Sequence, residues 1–147
     1  NWYFQAIDSQ LGINRVQEFL NKIEYGNQTT SSNLDLYWSD FSLKISPLEQ
    51  VTLLKKFNTN EFHLNFQNVF SVKNAIKIAS TPNGNFYGKT GTGRVNGQDI
   101  NGWFIGYVET SDNSYYFATN IQSDSNATGK KAFEITSDIL KKLHIWN

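Results

Sequence analysis

The sequence predicts an α+β fold, an antiparallel sheet with helices packed on it. Three observations carry that prediction. Apolar residues recur at helical spacing before Glu24 and again after Asn126. Between them, Phe86 to Ile121 divides into three strand-like runs, punctuated by the strong hairpin signal Asn96-Gly97 and the weaker one Ser111-Asp112-Asn113. Finally, a chain of 147 residues, 39% apolar and 15% aromatic, is long enough to bury a real core.

The elements follow in order. Phe4, Ile7, Leu11, Phe19, Leu20 and Ile23 predict one or two helices interrupted by Gly12, and Tyr25-Gly26-Asn27 stops them. The polar run Gln28 to Asn33 reads as a loop leading to Leu36-Tyr37-Trp38. Ser46-Pro47-Leu48-Glu49 combines a capping serine, proline at the first helical position and glutamate at the third, so a helix starts there and carries Val51, Leu53, Leu54 and Phe57. A further helix is expected from Asn65 to Ile78 around Val69, Val72 and Ile76. After a turn at Thr81-Pro82-Asn83-Gly84, three strands are expected at Phe86–Val95, Ile100–Glu109 and Ser114–Ile121, forming a meander. The last helix, Ala127 to Leu143, places Ala132, Ile135, Ile139, Leu140 and Leu143 on one face, suited to lie across the sheet.

Composition narrows the function. Thirteen basic residues balance thirteen acidic ones with no Lys/Arg run, which argues against a nucleic-acid partner. There is no cysteine, and His63 and His144 lie far apart without a ligand cluster, so no metal site is expected. No apolar run approaches the roughly 20 residues of a membrane span. The absence of methionine, and an opening at Asn1-Trp2-Tyr3-Phe4 that reads as a helix already running, lead us to expect one piece of a longer domain.

The stretch Phe86-Tyr87-Gly88-Lys89-Thr90-Gly91-Thr92-Gly93 sets a cation and two hydroxyls among three glycines. It does not make a phosphate-binding loop, because the spacing to Gly84 is one residue short and the segment runs into a hairpin rather than a helix. In a strand, Thr90 and Thr92 share one face and Lys89 takes the other. Gly91 leaves the surface between them open. Such an edge can bind a carboxylate through its hydroxyls and aim a backbone N–H at an oxyanion. The bland alternative is a solvated, glycine-rich hairpin.

Lys89-Thr90-Gly91 resembles the third motif, Lys-Thr-Gly, of the penicillin-recognising serine acyl-enzymes. The chain resembles that superfamily, and within it the class D (OXA-type) β-lactamases and the β-lactam-sensor receptor domains, along essentially its whole length. Tyr25-Gly26-Asn27, Leu34-Asp35-Leu36-Tyr37-Trp38, Ser42 to Gln50 and Gly102 to Glu109 resemble further motifs of that group in the same order. The resemblance implies an α/β/α sandwich with helices on both sides of the sheet. It also implies that residues 1–147 are the C-terminal part of a single domain of about 250 residues, a usual domain size. The acylated serine and the lysine of S-x-x-K would lie upstream, the lysine carbamylated; no other cofactor is implied.

Roles carry over by position. Lys89 resembles the lysine that keeps the field at the nucleophile positive and assists proton transfer. Thr90, Gly91 and Thr92 would line the β-lactam site, with the threonine hydroxyls on the carboxylate and the Thr92 amide in the oxyanion hole. Trp38 resembles a tryptophan that contacts the carbamylated lysine, although a core aromatic is the plain alternative. Tyr25, Gly26 and Asn27 read as structural. Asn1 would be the third residue of the second motif, at the ligand-binding surface. An arginine that OXA-type enzymes use for the carboxylate is absent from Asn126 to Ala132, with Ala132 about at its place, and Thr92 could take over its work. Ser39 stands where leucine is frequent.

Two functions follow from the resemblance. One is a sensor of β-lactam antibiotics that is acylated once, in an extracytoplasmic domain tethered through a membrane part outside this segment. The alternative is a class D β-lactamase that hydrolyses the acyl-enzyme with the lysine carbamate as base. The missing arginine and Asn1 favour the sensor; peptidoglycan transpeptidation fits the Tyr25-Gly26-Asn27 and Trp38 elements less well.

Overall fold

The structure, a computed structural model, describes residues 2–30, 37–38 and 41–146, so Asn1, Leu34, Asp35, Leu36 and Ser39 lie outside the described residues. The chain falls into two compact units, Asn1–Glu49 and Gln50–Asn147.

In the N-terminal unit the predicted helical stretch is two helices, α1 (Trp2–Leu11) and α2 (Ile13–Lys22), parted at Gly12 with φ 78°. Helix α2 buries Val16 and Leu20 against Tyr37, with Tyr25, Trp38 and Leu43 packed around them. Tyr25-Gly26-Asn27 is structural, as expected. Gly26 has φ 50°, and any Cβ there would run into the Lys44 carbonyl oxygen. The Asn27 side chain accepts the Lys44 N–H at 2.9 Å and donates to the Ser42 carbonyl at 2.8 Å, fastening the turn to the segment before α3.

Helix α3 (Pro47–Asn58) begins with the capping box that the sequence predicts. The Ser46 N–H donates to Glu49 Oε2 at 2.8 Å and the Glu49 N–H donates back to Ser46 Oγ at 3.3 Å. Helix α4 (Phe66–Ala75) is capped by Asn65, whose Oδ1 accepts the Gln67 N–H at 2.9 Å. It ends earlier than the apolar spacing of Ile76 and Ile78 implied, because the chain turns there into a strand.

That strand, β1 (Lys77–Thr81), corrects the expected three-stranded meander to four strands. It pairs with β2 (Gly84–Val95), which pairs with β3 (Gln98–Thr110), which pairs with β4 (Ser114–Gln122), all antiparallel and in chain order. Asn96 and Gly97 take φ 48° and 78°, the left-handed values a tight two-residue hairpin needs.

Helix α5 (Gly129–Lys142) lies on one face of this sheet. Its Ala132 and Leu140 join Phe86, Phe104 and Val108 in a core flanked by Phe117, Ile121, Phe133 and Trp146. The face differs from the expected one. Gly129, Ala132, Thr136 and Leu140 are buried, whereas Ile135, Ile139 and Leu143 are exposed. Small residues let the helix sit close to the sheet, and the buried Thr136 hydroxyl is satisfied: its Oγ1 lies 2.7 Å from Thr119 Oγ1 and donates to the Ala132 carbonyl at 2.8 Å. The opposite sheet face carries Tyr87, Tyr107 and Tyr116, and helices α3 and α4 reach it through an Asn58 Nδ2 bond to Tyr116 Oη at 2.8 Å and a Lys73–Glu109 ion pair at 3.8 Å. Helices therefore cover both faces of an antiparallel sheet.

Candidate functional site

Strand β2 carries Lys89, Thr90, Gly91 and Thr92 opposite Ile105, Phe104, Trp103 and Gly102 of β3. Side chains alternate, so Phe86, Gly88, Thr90 and Thr92 face α5, while Tyr87, Lys89 and Gly91 face the other way. The predicted division of faces holds. Gly91 opens the surface as predicted, since a Cβ there would meet only the Trp103 Cβ at 3.7 Å.

The outer edge of β2 decides what this segment can do. Strand β1 covers that edge from Gly84 to Tyr87, and the Gly88 N–H donates outward to the Ile76 carbonyl at 2.8 Å. Backbone direction reverses at each residue, so the N–H and C=O of Thr90 and Thr92 point to the same edge. Among the described residues no strand pairs with it beyond Gly88. The Lys89 ammonium reaches this edge too, because Nζ donates to the Thr90 carbonyl at 2.7 Å. A cation and the outward N–H of Thr92 thus converge on one open strip of backbone, an arrangement that can hold a developing oxyanion or pair with an extended ligand.

The start of α5 bounds the site on the threonine face. Thr92 Oγ1 accepts the Gly129 N–H at 3.0 Å. Gly129 lies so close that a Cβ on it would stand 2.6 Å from Gly91 O and 2.9 Å from Thr90 Cβ. Sequence reasoning missed Gly129, placing the helix start at Ala127; its only signal was a glycine near that start. Ala132 is fully buried in the apolar core.

Two further predicted site residues, Trp38 and Asn1, belong to the N-terminal part of the chain. Trp38 belongs to the N-terminal unit, half-buried against the Val16, Leu20 and Tyr37 cluster. Its neighbour Tyr37 is pushed up to about 12 by burial and by the Asp8 carboxylate bonded to its hydroxyl. Asn1 lies outside the described residues. Among the described residues no three His, Asp or Glu side chains cluster as metal ligands, and no helix is long and apolar enough to cross a membrane. An open depression of about 600 Å³ at the β2–β3 hairpin, lined by Val95, Asn96, Gln98, Ile100 and Gln122, shares no residue with Lys89 to Thr92.

Comparison with known proteins places the chain in a family. The chain is 43% identical over 145 residues to the methicillin resistance mecR1 protein of Staphylococcus aureus and 47% identical over 145 residues to the regulatory protein BlaR1 of Bacillus licheniformis. Each alignment takes in 99% of this chain, which spans about a quarter of the length of those relatives (25% and 24%). The C-terminal domain of the Bacillus licheniformis BlaR penicillin-receptor superposes with a TM-score of 0.94 at 46% identity, over 99% of this chain and 59% of that one. A class D β-lactamase from Bacillus subtilis gives 0.90 at 37% identity, over 99% of this chain and 59% of its own. The likenesses fall on the two groups that the motifs pointed to, with higher identity to the receptors. The description "penicillin binding protein transpeptidase domain" matches residues 1–141, and the chain belongs to that family.

Proposed function

We propose that this chain is the greater part of a β-lactam-binding serine acylation domain of the sensor type, exposed outside the cytoplasm, in which a serine upstream of Asn1 is the nucleophile. The observation that carries the reading is the edge of β2 beyond Gly88, unpaired by any strand among the described residues, where the Lys89 ammonium bonds to the Thr90 carbonyl and to which the Thr92 N–H points. The serine hydroxyl gives up its proton as its oxygen bonds to the β-lactam carbonyl carbon, the ring C–N bond breaks, and the ring nitrogen takes up a proton in exchange, so no net proton is gained or lost. The product is an ester. The Thr92 N–H, with the amide of the serine itself, would hold the oxyanion, Lys89 would favour the negative charge as it develops, and the Thr90 and Thr92 hydroxyls would bind the ligand carboxylate.

Support for a sensor comes from the higher identity to the receptors than to the class D β-lactamase, and from the absence of arginine between Asn126 and Ala132, where the resemblance to OXA-type enzymes implies one. A class D β-lactamase, with a carbamylated upstream lysine and Trp38 against it, is the second reading, supported by the TM-score of 0.90. Mixing the intact domain with benzylpenicillin and following protein mass separates the two. An adduct that persists for hours supports the sensor; one that disappears as hydrolysed drug accumulates supports the β-lactamase, and no adduct sinks both.

A further inference from the structure

We propose that Gly129 is a positioning residue that makes the site selective for ligands bearing a free carboxylate, by fixing which way the Thr92 hydroxyl proton points. The inference rests on the acylation reading above and concerns a residue with no role in it so far.

A threonine hydroxyl has one proton to donate and lone pairs to accept with. In Thr92 a lone pair is engaged by the Gly129 N–H at 3.0 Å, so the proton is turned away from α5. Thr92 is exposed, and the direction left to that proton is outward, where a ligand anion would be. A hydroxyl held this way donates to a carboxylate without first giving up another bond. It can take up the work of the absent arginine.

Two missing side chains allow the contact. A Cβ on Gly129 would stand 2.6 Å from Gly91 O, 2.9 Å from Gly91 N and 2.9 Å from Thr90 Cβ, so even alanine forces α5 and β2 apart. Beneath the preceding residue, a Cβ on Gly102 would run into the Thr128 carbonyl and stand 2.9 Å from Ile121 Cγ1. The segment between is pinned at both ends. The Ala127 N–H donates to the Asp99 carbonyl at 2.7 Å, and Thr128 Oγ1 accepts the Lys131 N–H at 3.2 Å. Backbone thus lies directly on backbone, and the first amide of α5 can reach Thr92.

The test uses the intact domain, benzylpenicillin and benzylpenicillin methyl ester, and reads the ratio of the two acylation rates, which does not depend on the fraction of protein folded. Wild type is expected to favour the acid by about tenfold or more, the scale of one hydrogen bond to a charged group. In Gly129→Ala the ratio should fall most of the way to one. Thr92→Val should lower it likewise and speed hydrogen exchange at the Gly129 amide about tenfold, while Thr92→Ser restores both. An unchanged ratio in Gly129→Ala, or unchanged Gly129 exchange in Thr92→Val, overturns the proposal. If Gly129→Ala does not fold, the Thr92→Val exchange and ratio decide. Wild type acylated equally by acid and ester refutes this proposal alone, whereas wild type acylated by neither refutes the acylation reading with it.

Discussion

The ring of Tyr87 stacks on that of Tyr107, centroids 4.7 Å apart and planes 24° from parallel, two positions before Lys89 on the same face of the sheet. The pair is in register across β2 and β3, and Tyr116 of β4 continues the row with its ring 5.7 Å from Tyr107. Three tyrosines in one row anchor the strand immediately beside the candidate site. Glu109 joins them to α4 through Lys73, and Asn58 joins them to α3 through Tyr116.

Tyr107 is fully buried, yet its hydroxyl has no partner among the described residues. An orphaned buried hydroxyl costs its lost hydration, so Tyr107→Phe should leave stability unchanged or raise it by up to about 1 kcal/mol. Tyr107→Ala, which removes the stacked ring, should cost about 3–5 kcal/mol. Urea denaturation of both variants checks this. A loss above about 1 kcal/mol in Tyr107→Phe would show that the hydroxyl is bonded after all.

Alkaline pH probes the same row. Burial, with the Glu109 carboxylate beside them, raises the pKa of both Tyr87 and Tyr107. A pKa raised on folding stabilises the native state below the unfolded value near 10, and that contribution disappears as pH rises through the shifted values. Phenolate absorbance at 295 nm, followed from pH 9 to 13, should therefore show a late ionisation that coincides with loss of near-ultraviolet circular dichroism. Ionisation of these tyrosines with the tertiary signal intact would contradict their burial.

What was legible in the sequence depended on how local the determining physics is. The division of Lys89 from Thr90 and Thr92 follows from the two-residue period of any strand, and the Asn96-Gly97 hairpin from the φ its residues must adopt. Strand β1 was missed because it is short and mostly exposed and its register slips between Lys77 and Ala79, leaving no alternation to read. The buried face of α5 was misassigned because Thr136, polar by composition, is buried through its bond to Thr119, while the more apolar Ile135 and Ile139 remain outside. Gly129 was invisible for a related reason. Its contacts with Gly91 and Thr90 span almost forty positions of chain, and no period or propensity encodes a close approach between two backbones.

The start of α3 offers a separate test. Ser46→Ala removes the side-chain acceptor for the Glu49 N–H and should cost about 1 kcal/mol. The partner carboxylate of Glu49 is held below its ordinary range by bonds from the Ser46 side chain and backbone. A lowered folded pKa stabilises above the unfolded value near 4.5, and the benefit is lost as pH falls through the lowered one. The stability difference between wild type and Glu49→Gln, measured by thermal denaturation, should shrink between pH 5 and pH 3. A difference that stays constant over that window would mean the box does not depend on the charge.

Lys89 is the residue on which the chemical reading turns. Its Nζ lies 2.7 Å from the Thr90 carbonyl, at the edge where the oxyanion would form, and its exposed stem leaves it free to move toward a ligand. If its charge stabilises negative charge in the transition state, Lys89→Ala in the intact domain should slow acylation by benzylpenicillin about 10²- to 10³-fold. Lys89→Arg, which keeps the charge but spreads it over a planar fork, should lose less. Because Lys89 is exposed and outside the apolar core, neither substitution should move the melting temperature by more than a few degrees, so a rate loss cannot be put down to misfolding. Stopped-flow acylation with both variants checks it. Equal rates in wild type and Lys89→Ala would remove the lysine from the chemistry and leave the edge of β2 as a binding surface alone.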